Sequence, residues 1–217
     1  MYLPPQFDRS DDDAQVDALL AAWPFASLIS NDDAGLPFVT HLPLHLQQRA
    51  GPGTPRVLLG HVAKPNPHWR YLQARPQAVV TFLGPHAYMS PAVYPDLARV
   101  PTWNYLAVHC TVLARLVEPT IDKDALLKHL IGDHEPAYAA QWRSLGEDYA
   151  HKMLAGIVAF ELEVTQLQCK IKLNQHRREA HAAMHSAYAA GNENEQALAL
   201  WMERLGLAVA GNNNSGD

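Results

Sequence analysis

Between Val57 and Trp69 the chain runs VLLGHVAKPNPHW, an apolar run, a glycine, and then polar and basic side chains punctuated by two prolines. Val57, Leu58 and Leu59 read as a buried strand, and Gly60 permits close backbone approach just before His61, Lys64 and Asn66. Pro65 and Pro67 restrain φ and disfavour helix in the residues before them, so these polar groups fall on a stiff turn, with a short helix following from His68 to Arg75. Such a turn can hold an anion, because an ammonium and the backbone N–H groups around Ala63 act on it together. It reads equally as a strand end with solvated polar residues.

A second group opens a later strand. Trp103, Asn104 and Tyr105 combine ring faces with an amide able to hydrogen-bond a heterocycle, while the competing reading makes the two aromatics core or interface residues. The twelve histidines invite a metal hypothesis. His41 and His45 stand four apart in a strand-like run, and His181 and His185 four apart in a helical one. Neither pair has a glutamate in the HExxH arrangement, so no metal site is assigned. Ser90 has no G-x-S-x-G context and no assigned base, and no GxGxxG or GxxxxGK[ST] occurs, which disfavours a hydrolase, a dinucleotide fold and a P-loop. Cys110 and Cys169 lie in apolar strand contexts that suit buried, reduced thiols. The only basic concentration is Lys170, Lys172, Arg177 and Arg178, which either touches phosphates or guards a sheet edge.

The elements that must position these groups follow from pattern. Met1 to Ser10 reads as an extended arm, with Ser10 as N-cap of a helix to about Ala22 whose inner stripe is Val16, Leu19, Leu20 and Trp23. Phe25 to Ser30 and Leu36 to Leu46 form a hairpin around the turn cluster Asn31 to Gly35, and Gln47 to Pro55 is a loop before a strand from Arg56 to Val62. Ala78 to Leu83 is a fourth strand, closed by Gly84-Pro85 and resuming at Ala87 to Ser90, followed by an irregular excursion from Pro91 to Pro101. Trp103 to Val117 is a long central strand covered on both faces. Helices are expected at Asp122 to Gly132 and within Glu135 to Leu154, then a strand from Ile157 to Leu173. Arg178 to Ala189 and Glu193 to Leu205 form a helical hairpin broken at Gly191-Asn192, and Gly211 to Asp217 reads as a disordered tail. About six locally paired strands followed by helices fit a small antiparallel barrel better than a βαβ array.

A formal net charge of −5 and a pI near 6.2 give no global attraction to a polyanion. With no signal-peptide pattern and no segment approaching the roughly 20 apolar residues of a membrane span, a cytoplasmic protein is expected.

Six blocks, MYLPPQF at the start, THLPL (40–44), GHVAKPNPHW (60–69), GPHAYMSP (84–91), VPTWNY (100–105) and KIKLNQHR (170–177), occur in one succession. In this the chain resembles the PaiB-type FMN-binding negative transcriptional regulators over about residues 1 to 177. The resemblance implies a mostly β fold, a split β-barrel of the pyridoxamine-phosphate-oxidase-like, FMN-binding type, with about six antiparallel strands, flanking helices and a C-terminal helical hairpin. It also implies a homodimer with FMN held non-covalently at the subunit interface. By it, His61, Val62, Lys64 and Asn66 lie near the flavin phosphate, Trp103, Asn104 and Tyr105 line the site, and Lys172 and Gln175 match in the last block. Asn174 stands there where the family pattern has Ser, and His176 where it has Asn. The implied division is 1–177 as flavin-binding barrel, 178–210 as helical appendage and 211–217 as tail. The implied role is negative regulation of transcription, with DNA as partner on the resemblance alone, since no helix-turn-helix is recognisable. A flavin-dependent oxidoreductase of the same fold and a haem-binding split barrel are the alternatives.

Overall fold

The computed structural model of the chain describes residues 1–47, 51, 54–96, 98–118 and 120–208. The expected tail from Gly211 to Asp217 and part of the expected loop from Gln47 to Pro55 lie outside them. Among the described residues, β1 (Phe25–Asn31), β2 (Pro37–Pro43), β3 (His45–Leu46), β4 (Val57–Ala63), β5 (Gln77–Met89), β6 (Thr102–Val117) and β7 (Ile157–Lys172) form one sheet in the order β2-β1-β5-β6-β7-β4-β3. The helices are α1 (Asp13–Ala22), α2 (His68–Ala74), α3 (Thr120–His134), α4 (Tyr138–Ser144), α5 (Glu147–Ala155), α6 (His181–Ala189) and α7 (Glu193–Arg204). None of them is long and apolar enough to cross a membrane. The chain divides into two compact units. We call 13–82 with 108–167 the turn unit, and 1–12, 83–107 and the residues from 168 onward the hairpin unit.

In the turn unit, β1 and β2 pair antiparallel with Phe25 opposite Pro43 and Asn31 opposite Pro37. The connection is an Asp turn. The Asp32 carboxylate accepts from the N–H groups of Ala34 and Leu36, and Gly35 takes φ +80°, a conformation glycine adopts without steric cost. The strand expected to run from Leu36 to Leu46 is two strands. At Leu44 the N–H turns aside to donate to Pro24 O at 3.0 Å while the side chain enters the core, and β3 then pairs with β4 instead. The sheet therefore has seven strands rather than about six. His41 and His45 consequently fall on different strands.

β4 pairs antiparallel with β7, Gly60 facing Phe160 and Ala63 facing Ile157. A Cβ built on Gly60 would stand 2.5 Å from Leu44 Cδ2 and 3.1 Å from Phe160 Cε2, so the glycine is required by close packing. Leu126 and Leu130 of α3 cover Leu59, Val117 and Ala159 on the sheet. Of the expected stripe, Val16, Leu19 and Leu20 are buried in α1 while Trp23 stands half-buried just past its end, and Arg56 ties this helix to the start of β4 through Asp17 at 2.6 Å and Asp13 at 2.7 Å.

In the hairpin unit the N-terminal arm runs along β7, with Arg9 N–H donating to Cys169 O at 2.9 Å and Asp8 bridging Lys170. Ser10 is not the cap of α1. Its hydroxyl donates to the Asp8 carboxylate and accepts from Cys169 N–H, so it is spent on the arm and the helix begins at Asp13. α7 starts at a capping box: the Asn192 side chain accepts from Glu195 N–H at 3.1 Å, and the Glu195 carboxylate accepts from Asn192 N–H at 2.8 Å. Glu195 fills the space where a Cβ on Gly191 would sit, which is why the expected break falls at Gly191-Asn192. Met184, Tyr188, Leu198, Trp201 and Met202 bury this pair of helices.

β6 departs from its expected double cover. Leu106, Val108, Cys110 and Val112 are buried on one face, whereas Trp103 and Leu113 on the other are 49% and 44% exposed.

Gly60→Ala overpacks the contact with Leu44 and Phe160 and should cost about 1–3 kcal/mol, read as a lowered midpoint in urea unfolding with unchanged slope.

Candidate functional site

The stiff turn forms as its prolines require. β4 ends at Ala63, Asn66 N–H closes the turn onto Ala63 O at 2.8 Å, and Lys64 N–H donates to Gly156 O at 2.8 Å. Trp69 Nε1 donates to Lys64 O at 3.0 Å. The expectation that amides around Ala63 act on an anion is corrected at two positions, because the N–H groups of Lys64 and Asn66 are already engaged. What the turn offers is the Lys64 ammonium, exposed and without a carboxylate partner among the described residues.

Behind the turn lies a partly buried network. Asn66 Nδ2 donates to Thr40 Oγ1 at 3.2 Å, Asn66 Oδ1 accepts from His68 N–H at 3.0 Å, and Thr40 Oγ1 bonds His68 Nδ1 at 2.7 Å. His68 has no exposed surface, and burial pushes its pKa down to about 4, so it is a neutral imidazole at neutral pH. Phe38 meets its ring edge-on at 5.1 Å. His68 Nε2 is buried without a hydrogen-bond partner in the described structure. Thr40 and His68 were not singled out from the sequence, although each lies inside a quoted block; only the fold brings THLPL against the turn.

The remaining expected residues of the turn unit diverge. Val62 is core. His61, on the opposite face of β4, lines a mostly apolar cavity of about 320 Å³ with Leu127, Leu130, Ile131 and Tyr138, and burial lowers its pKa.

The other expected set belongs to the hairpin unit. The exposed Trp103 ring donates from Nε1 to His86 Nδ1 at 3.3 Å and meets Tyr88 edge-on at 6.3 Å. Tyr105 lies beneath the ammonium groups of Lys170 at 5.2 Å and Lys172 at 6.0 Å. Asn104 is fully buried, donating to Tyr188 Oη at 2.9 Å and facing the sulfurs of Met89 and Met184. Burial pushes the Tyr188 hydroxyl up to about 12, so it stays protonated. Gln175 caps the end of β7, accepting from Leu173 N–H and donating to Ile171 O. Lys172 donates to Thr102 Oγ1 at 2.6 Å and Trp103 O at 2.8 Å, and burial followed by the charge of Lys170 lowers its pKa.

The histidine pairs are otherwise engaged. His41 bonds Ser27, His45 pairs with Asp133 and stacks on His129, His181 bonds Asn174 O, and His185 pairs with Glu203. Among the described residues no group of three or more potential ligands could hold a metal ion.

The antiparallel sheet with flanking helices is the split-barrel class of flavin-binding folds. The chain shares its fold with the flavocytochrome Anf3 of Azotobacter vinelandii (TM-score 0.59, 19% identity, 78% of this chain and 71% of that one). It also shares it with an FAD and heme binding protein of Mycobacterium smegmatis (TM-score 0.58, 18% identity, 74% and 71%). In sequence, residues 1–166 match the family described as "Putative FMN-binding domain". The chain is also 32% identical over 184 residues to the protease synthase and sporulation protein PAI 2 of Bacillus subtilis, covering 82% of this chain and 84% of the relative. The chain belongs to this PaiB-type FMN-binding family, whose cofactor is FMN.

The depressed pKa of His68 ties stability to pH. Below pH 6.5 the unfolded chain protonates this imidazole while the folded chain does not until about pH 4, so the unfolded state binds more protons and stability falls with pH across that window, by up to about 3 kcal/mol. Urea unfolding at several pH values should show a shallower dependence in His68→Gln than in the natural sequence.

Proposed function

We propose that the chain is a cytoplasmic, homodimeric regulator of transcription that carries FMN, with the flavin phosphate held at the β4 turn by Lys64. The observation that carries this reading is the Lys64 ammonium, free of any carboxylate among the described residues and presented by a turn braced between two prolines and the Thr40–Asn66–His68 network. A cation so placed forms a charge-assisted contact with a phosphate without first breaking an ion pair. Asn66 is a positioning residue on this reading, since both ends of its amide already hold the turn. Trp103 and Tyr105 carry the ring faces of the hairpin unit, and Asn104 supports them from the core through Tyr188. When bound, FMN supplies reversible one- and two-electron redox chemistry, and the protein supplies position and electrostatics.

The regulator role is supported by family membership and by the PAI 2 relative, whose name places it in protease synthesis and sporulation. The competing oxidoreductase reading uses the same cofactor and needs no DNA.

Lys64→Ala should weaken FMN binding by roughly 1.5–3 kcal/mol, measured by quenching of flavin fluorescence; an unchanged affinity would move the phosphate elsewhere. In a gel-shift series over salt, a band retarded at low salt and lost at high salt supports DNA binding through phosphate contacts. Absence of retardation even at low salt favours the oxidoreductase.

A further inference from the structure

The basic run KIKLNQHR admitted two readings, a phosphate-contacting patch or a guarded sheet edge. The guarded edge does not hold. β7 lies between β6 and β4 in the sheet, and its last residues are covered by the N-terminal arm, so there is no open edge for lysines to protect. Lys170 is instead buried, at 6% exposure, with its ammonium on Tyr2 O and over two tyrosine rings, and no carboxylate among the described residues pairs with it or with Lys172. Burying a cation without a counter-charge is costly, and an anion nearby relieves that cost.

A cavity for one is present. About 280 Å³ opens beside Lys172, lined also by the polar Arg99, Arg177 and His176 and by Phe7, Tyr94 and Val100. The two carboxylates near it are committed to the arginines: Asp96 to Arg99 at 2.8 Å, and Glu179 to Arg99 at 3.7 Å and Arg177 at 3.9 Å. Lys172 remains the unneutralised charge. Asn174, 4% exposed, also lines the cavity. It holds the left-handed φ of +57° that asparagine tolerates, and its amide donates to Tyr94 Oη at 2.7 Å. Burial first, and then Arg177, lowers the His176 pKa, so His176 faces the cavity as a neutral imidazole edge-on to Phe7 at 5.9 Å. Asn174 and His176, the two positions at which the resemblance implies other residues, both line this cavity.

We propose that this cavity binds a compact organic anion, a carboxylate on a small apolar body, as a ligand separate from FMN. The carboxylate contacts Lys172 and Arg177, and the apolar body rests on Phe7 and Val100. Its volume lies just below that of small-molecule pockets, which run from about 300 to 1,000 Å³, and so suits a ligand much smaller than a flavin nucleotide. Asn174 and His176 set which body fits.

The test is calorimetric titration of the full chain, FMN-free and FMN-loaded, with sodium benzoate and separately with inorganic phosphate. The expected result is one benzoate per chain in both forms, weakened by salt, and weakened roughly 10- to 100-fold by Lys172→Met. Arg177→Gln, at a half-exposed side chain, should weaken it too and carries the test should Lys172→Met not fold. Absence of benzoate binding at millimolar concentration, or binding that neither variant alters, overturns the proposal. Binding of phosphate but not benzoate overturns the carboxylate assignment. Mutual exclusion of benzoate and FMN overturns the separateness of the two ligands and returns Lys172 to the flavin site.

Discussion

The pairing of β4 with β7 is the constraint on which the rest of the turn unit depends. Its register puts Gly60 against Phe160 and Ala63 against Ile157, and it delivers Lys64 N–H to Gly156 O just beyond the strand ends. Two prolines then carry the chain away with little freedom, so the Lys64 side chain is the free polar group of a turn whose backbone is already satisfied. Shifting this register by one residue would exchange the faces of His61 and Val62, placing an imidazole in the core and an apolar side chain on the cavity.

Buried polar networks hold each unit. In the turn unit, Thr40, Asn66 and a neutral His68 bond one another behind the cationic turn, with His68 Nε2 left unpartnered in the described structure. In the hairpin unit, Asn104 Nδ2 is held by Tyr188, Met89 and Met184 beneath Trp103 and Tyr105, with Asn104 Oδ1 left unpartnered in the described structure. Such groups are costly to bury unless paired, which makes them rigid supports for the exposed side chains around them. Lys64 and Trp103 are the exposed groups that stand next to these networks.

Charge is distributed unevenly for so mildly acidic a chain. The acidic side chains near the end of β7 are consumed by Arg99 and Arg177, and the two lysines of the last block lean on ring faces, a hydroxyl and carbonyl oxygens. Net charge reports none of this, because it sums over the surface and is blind to which charges are neutralised where.

Local pattern by itself determined most elements: the α1 stripe, the Asp32–Gly35 turn, the long sixth strand, and the break at Gly191-Asn192, each governed by interactions within a few residues. The same locality made the Lys64 turn legible as a rigid polar feature, and the succession of blocks made the family legible. Tertiary structure decided what local rules do not reach. Leu44 left the strand because a core position and the carbonyl of Pro24 competed for it; Ser10 gave up its capping role to β7. Asn104 lies in the core because Tyr188, eighty-four residues later in the chain, supplies its partner. Thr40 and His68 joined the candidate site, and Lys170 and Lys172 ceased to be edge guards, through contacts between residues distant in sequence, which neither periodicity nor composition encodes.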